Sequence, residues 1–360
     1  ILQSLIKTNM FKNLKVLELS SVLAGPAVGM FFSELGAQVI KVENKTTNGD
    51  VTRRWKLSNE KKNDLSAYFC SVNYNKNYVF LDFNNDKDRS ELEVLIKKCD
   101  VVITNFKGKD AAKFNLEFED CKKINPIIIY AHIGGFKSNP NRVAFDIVLQ
   151  AETGFINMTG NKKEFAKMPV ALIDVLAAHQ IKEGILTAMI LQNKEKKAYK
   201  VSTSLEETAI ASLMNQSSNF LMAKHQAKPL GTLHPNIAPY GEVVTTLDGK
   251  KLILAIGTDY QFEMFSTIIS IEKKWVEKFK ANQQRVEDRE VLFEIINNKI
   301  KDISSSNLIK RCFEKNIPIG EINSVEKVMQ SKIAKEMILE ETIDNQKTIR
   351  IKTVAFELTS

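Results

Sequence analysis

Cysteine, histidine and glycine are all scarce in this chain, and each scarcity narrows the chemistry. The four cysteines, Cys70, Cys99, Cys121 and Cys312, are scattered, form no CxxC and have no histidine at zinc-ligand spacing. They read as reduced thiols of a cytoplasmic protein, not as a disulfide framework or a zinc site. The four histidines, His132, His179, His225 and His234, do not cluster either, so no metal is expected. Among 15 glycines there is no G-x-G-x-x-G, the pattern a dinucleotide pyrophosphate needs. No apolar run reaches the roughly 18 residues of a membrane-spanning helix. The opening ILQSLIKTNMFKN lacks a long apolar core and a small-residue cleavage site, so it does not read as a secretory signal. Met10 is a candidate start, with residues 1–9 a leader.

What is present is an ordinary soluble composition, 44% hydrophobic and 26% charged, in 360 residues. That length suffices for two domains or one elaborated α/β domain. The net charge is +8, from lysines spread along the chain and not packed into a tail. Such a surface suits nucleic acid, a membrane face or a phosphorylated small ligand. No aromatics interleave with the lysines as in nucleic-acid readers, so neither nucleic acid nor a membrane is expected as a partner. A solvated lysine-rich surface explains the charge equally well.

Apolar strands alternate with helices from the start. LKVLEL (14–19), AQVIKVE (37–43), YVFLDF (78–83), DVVITNF (100–106) and PIIIYAHIGG (126–135) read as strands. Helices are expected from Pro26, over DRSELEVLIKKC, near KDAAKFN, from Asp174 and from about Glu206 to Lys224. Strands of this kind predict a mainly parallel sheet covered on both faces. A break at 225–241 holds three of the eight prolines. After it come two strands around an Asp248-Gly249 turn, charged helices, a return strand at IPIGEI and a terminal β-ribbon. The expected architecture is a large Rossmann-like α/β domain (10–225), a smaller α+β domain (226–320) and a C-terminal segment (321–360) returning to the large domain.

Three stretches carry candidate chemistry. SSVLAGPAVG ends a strand and opens a helix, and it reads as a plain β–α turn or as a helix N-terminus receiving an anion or an adenine edge. RVAFDIVLQ and ALIDVLAAHQ hold Asp146 and Asp174. Asp174 sits where a helix begins, so helix capping is the plain reading. A desolvated aspartate aligned with an activated acyl group is also a competent nucleophile. In GTLHPNIAPYGEVVTTLDGKKLILAIGTDYQF, Asp259 reads as a helix cap and His234 as a structural residue.

Taken together, LELSSVLAGPAVGMFFSELGAQVIKVE with GDVTRRW, KKCDVVITNFKGKDAAKFNL and HPNIAPYGEVVTTLDGKKLILAIGTDYQF resemble the family III CoA-transferases, the CaiB/BaiF type. NYNKNYVFLD, NPIIIYAHIGGF, FDIVLQAETGFINMTG and PVALIDVLAAHQIKEGILTA fit that family in the same order, so the likeness covers roughly residues 14–330. The resemblance implies that the first loop lines a coenzyme A site. Val22 and Ala24 would lie against the adenine, with Asn105, Phe106 and Lys113 flanking the nucleotide. Lys76 and Arg142 would be candidates for phosphate contacts, as cations suit the phosphates of CoA. Asp174 would be the nucleophile, moving CoA between an acyl-CoA and a small carboxylic acid through an aspartyl-CoA thioester. Asp146 would orient groups or handle a proton. The family also implies an interlocked homodimer.

Some positions depart from the family. Leu23 stands where some transferases carry glutamine, and the glycine-rich loop that some have after APY is missing. QNKEKKAYKV lacks the usual Gly-x-Gly. An α-methylacyl-CoA racemase, which exchanges the α-proton with a base on each face, is the main alternative. The racemases compared carry histidine directly before the Asp of FD, where this chain has Phe145. An inactive CoA-binding relative is the third reading.

Overall fold

A computed structural model of the chain describes residues 9–161 and 163–359. The expected leader therefore lies, for residues 1–8, outside the described residues. Six strands, β1 (Lys15–Leu19), β2 (Gln38–Asn44), β3 (Lys76–Leu81), β4 (Val101–Thr104), β5 (Ile129–Gly134) and β6 (Tyr199–Ser204), form one sheet. Its order is β3-β2-β1-β4-β5-β6, every neighbour parallel. β4 is wholly buried and β1 nearly so, which is why both read as apolar runs. The chain order reverses direction between β1 and β4, and an open α/β sheet offers its ligand crevice at such a switch point.

The covering helices include α1 (Ala24–Glu34), α2 (Asp86–Lys98), α3 (Asp146–Glu152), α4 (Leu172–Gln192), α5 (Leu205–Ala211) and α6 (Met214–Ala223). The single helix expected over 206–224 is thus two. Met214 takes a positive φ of 45°, which no helix interior allows. α4 lies close on the sheet because Gly184 has no side chain; a Cβ there would sit 2.3 Å from Val201 Cγ1.

Gly25 and Gly29, the two glycines at the start of α1, are required by packing. A Cβ on Gly29 would lie 1.9 Å from Glu18 Oε2, and one on Gly25 would lie 2.2 Å from Ser20 Oγ. They let α1 settle over Glu18, an acid fully buried within β1. Glu18 is neutralised from both sides, by Lys41 at 2.9 Å and Lys76 at 2.8 Å. Lys41 continues to Asp50 at 3.2 Å, and Arg53 pairs with Glu43 at 2.7 Å. Breaking such a buried set strands a charge, at about 3–5 kcal/mol.

One compact unit comprises 1–156, 167–227 and 333–360; the other comprises 157–166 and 228–332. In the second, β7 (Tyr240–Thr245), β8 (Lys251–Ala255) and β9 (Ile319–Glu321) form an antiparallel sheet. Gly249 turns the β7–β8 hairpin at φ 73°. Asp248 beside it accepts hydrogen bonds from Ser305 N at 2.8 Å and Ser305 Oγ at 2.6 Å, tying the hairpin to the helix Ser305–Glu314. Leu252, Leu254, Phe262, Phe265, Leu292 and Leu308 build this unit's core. Asp259 is not the cap expected there. Thr258 caps the helix Asp259–Ile268 in a capping box with Gln261, and Asp259 instead pairs with the buried Arg285 at 2.6 Å. The Nδ1 of His234 accepts from Asn236 N at 3.1 Å. The tail forms the ribbon β10 (Ile338–Ile343) and β11 (Gln346–Ile351), turned by Asp344 and Asn345 with positive φ. It belongs to the first unit, where Arg53 holds Asp344 at 3.0 Å. Among the described residues no helix is long and apolar enough to cross a membrane.

Candidate active site

The loop after β1 is strained and locked. Val22, a β-branched residue, sits at φ 72°, a conformation costing on the order of 1–3 kcal/mol. Asp50 Oδ2 accepts its N–H at 3.1 Å. Asp50 is itself held by Lys41 and by the N–H and hydroxyl of Thr52, so it cannot follow a relaxing loop. On the loop after β4, Asn105 grips both sides of Ser21. Its Oδ1 accepts Ser21 N at 3.1 Å and its Nδ2 donates to Ser21 O at 2.9 Å. The two loops at the switch point thus form one rigid edge.

Asp174 faces this edge. It is the third residue of α4; Ala171 stands at the cap position and has no side chain to offer. The capping role expected for Asp174 belongs to Asp146, at the start of α3. Asp146 Oδ1 accepts Ile173 N at 2.7 Å and Asp174 N at 3.3 Å, while Oδ2 accepts from Gln150 at 2.6 Å. Asp174 is left with a carboxylate that accepts no hydrogen bond among the described residues. It is 8% exposed. Burial, then the charge of Asp146, push its pKa up to about 7. From an ordinary 3.8, that rise corresponds to about 4 kcal/mol, well above the roughly 1 kcal/mol by which a helix N-terminus favours an anion. The carboxylate is desolvated, unpartnered and open to a cleft, the condition of an activated nucleophile.

The cleft, about 160 Å³, is lined by Val22, Ala24, Asn105, Phe106, Arg142 and Asp174, with Leu23 and Phe145 on its walls. Through Ser21, Asn105, Phe106 and Lys107 it adjoins a groove of about 590 Å³ that also takes in Arg54 and Phe114. Six of the nine residues singled out in the sequence therefore meet in one place. Asp146 lies behind it, beneath the start of α4. Lys113 is exposed, its ammonium 4.9 Å from the centre of the Phe114 ring. Arg142 makes a two-pronged pair with Glu152, both on the surface, where such a pair is worth about 0–1 kcal/mol and yields readily to a phosphate.

Lys76 must be withdrawn as a phosphate ligand. Its ammonium is fully buried against Glu18 and donates to Pro26 O, Val72 O and Asn73 Oδ1, each at 2.9 Å. Burial brings its pKa down to about 8. Lys76→Met is expected to cost about 3–5 kcal/mol in a denaturant melt by leaving Glu18 and Asp50 with Lys41 as their one buried cation, while the folded fraction keeps its CoA affinity.

Sequence reasoning missed Asp50, Tyr68, Lys107 and Arg54. Asp50 and Arg54 lie in GDVTRRW, a segment singled out for its resemblance but not for its roles. Tyr68 is pushed up to about 12 by burial and by the charges of Asp174, Asp146 and Asp50. Phe145, a hydrocarbon ring, can transfer no proton in this cleft.

The profile described as CoA-transferase family III matches residues 11–360. The succinate–glutarate CoA-transferase of Agrobacterium fabrum is 33% identical over 324 residues, 88% of this chain and 80% of that protein. Human succinyl-CoA:glutarate CoA-transferase is 30% identical over 325 residues, 88% of this chain and 72% of that one. A CaiB/BaiF family protein from Brucella suis superposes with a TM-score of 0.81 at 32% identity, covering 97% of this chain and 92% of that one. In sequence and in fold, this chain belongs to CoA-transferase family III.

Proposed function

We propose that the chain is an acyl-CoA:carboxylate CoA-transferase with Asp174 as its nucleophile. The observation that carries this reading is the Asp174 carboxylate itself, which is buried, accepts no hydrogen bond among the described residues and lines the switch-point cleft. Asp174 attacks the donor thioester, forming a mixed anhydride and releasing CoA thiolate. The thiolate attacks the aspartyl carbonyl, giving an aspartyl-CoA thioester and freeing the donor acid. The acceptor carboxylate then attacks that thioester, expelling thiolate and forming a second anhydride. Finally, thiolate attacks the acceptor's acyl carbon, which releases the new acyl-CoA and restores Asp174. Backbone N–H groups near the cleft would carry the oxyanions.

In this reading Val22 and Ala24 meet the adenine, Asn105, Phe106 and Lys113 flank the nucleotide, and Arg142 approaches the phosphates. Lys107 and Arg54 join them from the adjoining groove. Asp146 positions the start of α4. The relatives' names pair succinate with glutarate, so small dicarboxylic acids are the proposed substrate class. An interlocked homodimer and a cytoplasmic location complete the proposal.

The test is incubation with a panel of acyl-CoAs and free acids in deuterated water, read by mass spectrometry. New acyl-CoA species are expected. Deuterium at the α-carbon without acyl exchange would instead establish the racemase, against the indication of Phe145. Binding of acyl-CoA with neither reaction would leave an inactive relative.

A further inference from the structure

A second cavity, about 340 Å³, shares Leu23 with the Asp174 cleft and is lined by the neighbouring α4 residues Ala171, Val175 and Ala178. Leu23 and Tyr68 form its near wall; Leu23 also lines the Asp174 cleft, and the Tyr68 phenol feels the Asp174 charge. Val170, Val175 and Ala178 supply an apolar middle. At the far end stands Lys182, only 8% exposed. Among the described residues Lys182 has no hydrogen-bond acceptor and no ion pair; its ammonium lies 5.1 Å from the centre of the Phe31 ring. A buried ammonium without a counter-ion is costly, so something must repay it.

The neighbouring charges do not. Glu34 is the first of them, but its carboxylate is committed to Thr353 N at 2.8 Å, Val354 N at 2.8 Å and Thr353 Oγ1 at 3.1 Å. Glu183 is exposed on the next position of α4, and His179, also on the cavity wall, is held toward its neutral form by burial and by Lys182. Among the described residues, the cavity lining holds one cation, Lys182, and a short apolar stretch, and it shares Leu23 with the cleft that holds Asp174.

We propose that this cavity seats the remote carboxylate of a dicarboxylic acid whose other carboxyl reacts at Asp174, with Lys182 as the counter-ion that selects it. The inference rests on the transferase reading above. Its dimensions agree. From Asp174 to Lys182 α4 rises about 12 Å, with Val175 and Ala178 between them on the cavity wall. The lysine stem leans back toward the helix N-terminus and covers about half of that rise. The remaining ~6 Å is close to the ~5 Å carboxyl-to-carboxyl span of a five-carbon diacid built from C–C bonds of about 1.5 Å.

The experiment compares glutarate with pentanoate, which has the same chain without the second carboxylate. Butyryl-CoA is the donor, so only the acceptor differs. Wild type is expected to favour glutarate. Lys182→Met should lower kcat/KM for glutarate roughly tenfold to hundredfold, the scale of one lost charge-assisted hydrogen bond. Pentanoate should stay within about threefold in the same preparation, which also shows that the variant is folded. Equal losses for both acids, with or without a change of oligomeric state, would make Lys182 a structural or interface residue and overturn the proposal. Transfer to both acids without preference in wild type would overturn it too, leaving the transferase reading intact. If neither acid accepts CoA, the transferase reading fails, and calorimetric titration of glutarate decides the cavity alone. Saturable binding lost in Lys182→Met would support the site, and no binding would end it.

Discussion

Asp174→Ala is expected to lower kcat/KM for CoA transfer by about ten-thousandfold or more, the scale on which deleting a covalent nucleophile acts. Affinity for acyl-CoA should persist, because the contacts assigned to CoA lie on other elements. The fold should persist as well, since the start of α4 is capped by Asp146 and not by Asp174. Stability provides a second readout, with a definite sign. The folded-state pKa of Asp174 stands at about 7 against an ordinary 3.8, so between these values the folded protein holds a proton that the unfolded chain has lost. Stability therefore falls as pH rises from about 4 to 7, and the penalty is fully present above 7. Asp174→Asn, which cannot ionise, is expected to be more stable than wild type at pH 8, by on the order of 2–4 kcal/mol. Thermal melts across pH should show that gap closing toward pH 4. A gap that is constant with pH would mean that Asp174 is not desolvated.

Asp146→Asn separates the two roles of Asp146. The amide oxygen can still accept Ile173 N and Asp174 N, so the start of α4 stays capped. The negative charge beside Asp174 is gone. Asp174 must be ionised to attack, so activity should rise with pH through about 7 in wild type. In Asp146→Asn that rising limb should move to lower pH while burial keeps it above the ordinary aspartate range. Asp146→Ala, by contrast, removes the acceptor as well and should cost about 2 kcal/mol of stability and misplace Asp174. A pH–rate profile for Asp146→Asn unchanged from wild type would mean that the two carboxylates do not interact.

The parallel sheet was legible because strands buried on both faces carry uninterrupted apolar runs, as VVIT of β4 does. The cleft was legible only through the order of the motifs, since its residues come from six separated segments that periodicity cannot bring together. Lys76 shows where that reading stops. In NYNKN nothing in the local pattern tells an inward lysine from an outward one; its direction is set by Glu18, far away in sequence, whose charge it neutralises. The same long-range logic hid the role of Gly29. It reads as part of a phosphate loop, yet the atom it avoids is the Glu18 carboxylate. One signal was available, an acid in the middle of the otherwise apolar strand LKVLEL, and it marks the buried ion network directly. Asp146 eluded the capping reading because it caps α4 from α3, across 27 residues. The piece 157–166 escaped for a similar reason. It joins the second unit through contacts such as Gly231 N to Gly160 O at 2.7 Å, which no local pattern announces.

The central claim is that the Asp174 carboxylate exchanges an oxygen with the acid it serves. The most direct measurement uses an acceptor acid labelled with ¹⁸O in both carboxyl oxygens, under turnover with an unlabelled acyl-CoA. In the proposed sequence one labelled oxygen stays in the new thioester carbonyl and the other is left on Asp174. Mass spectrometry of the peptide holding Asp174 should therefore show ¹⁸O accumulating there, and only when both substrates are present. Product acyl-CoA formed with no label on that peptide would contradict the account, because transfer would then bypass Asp174.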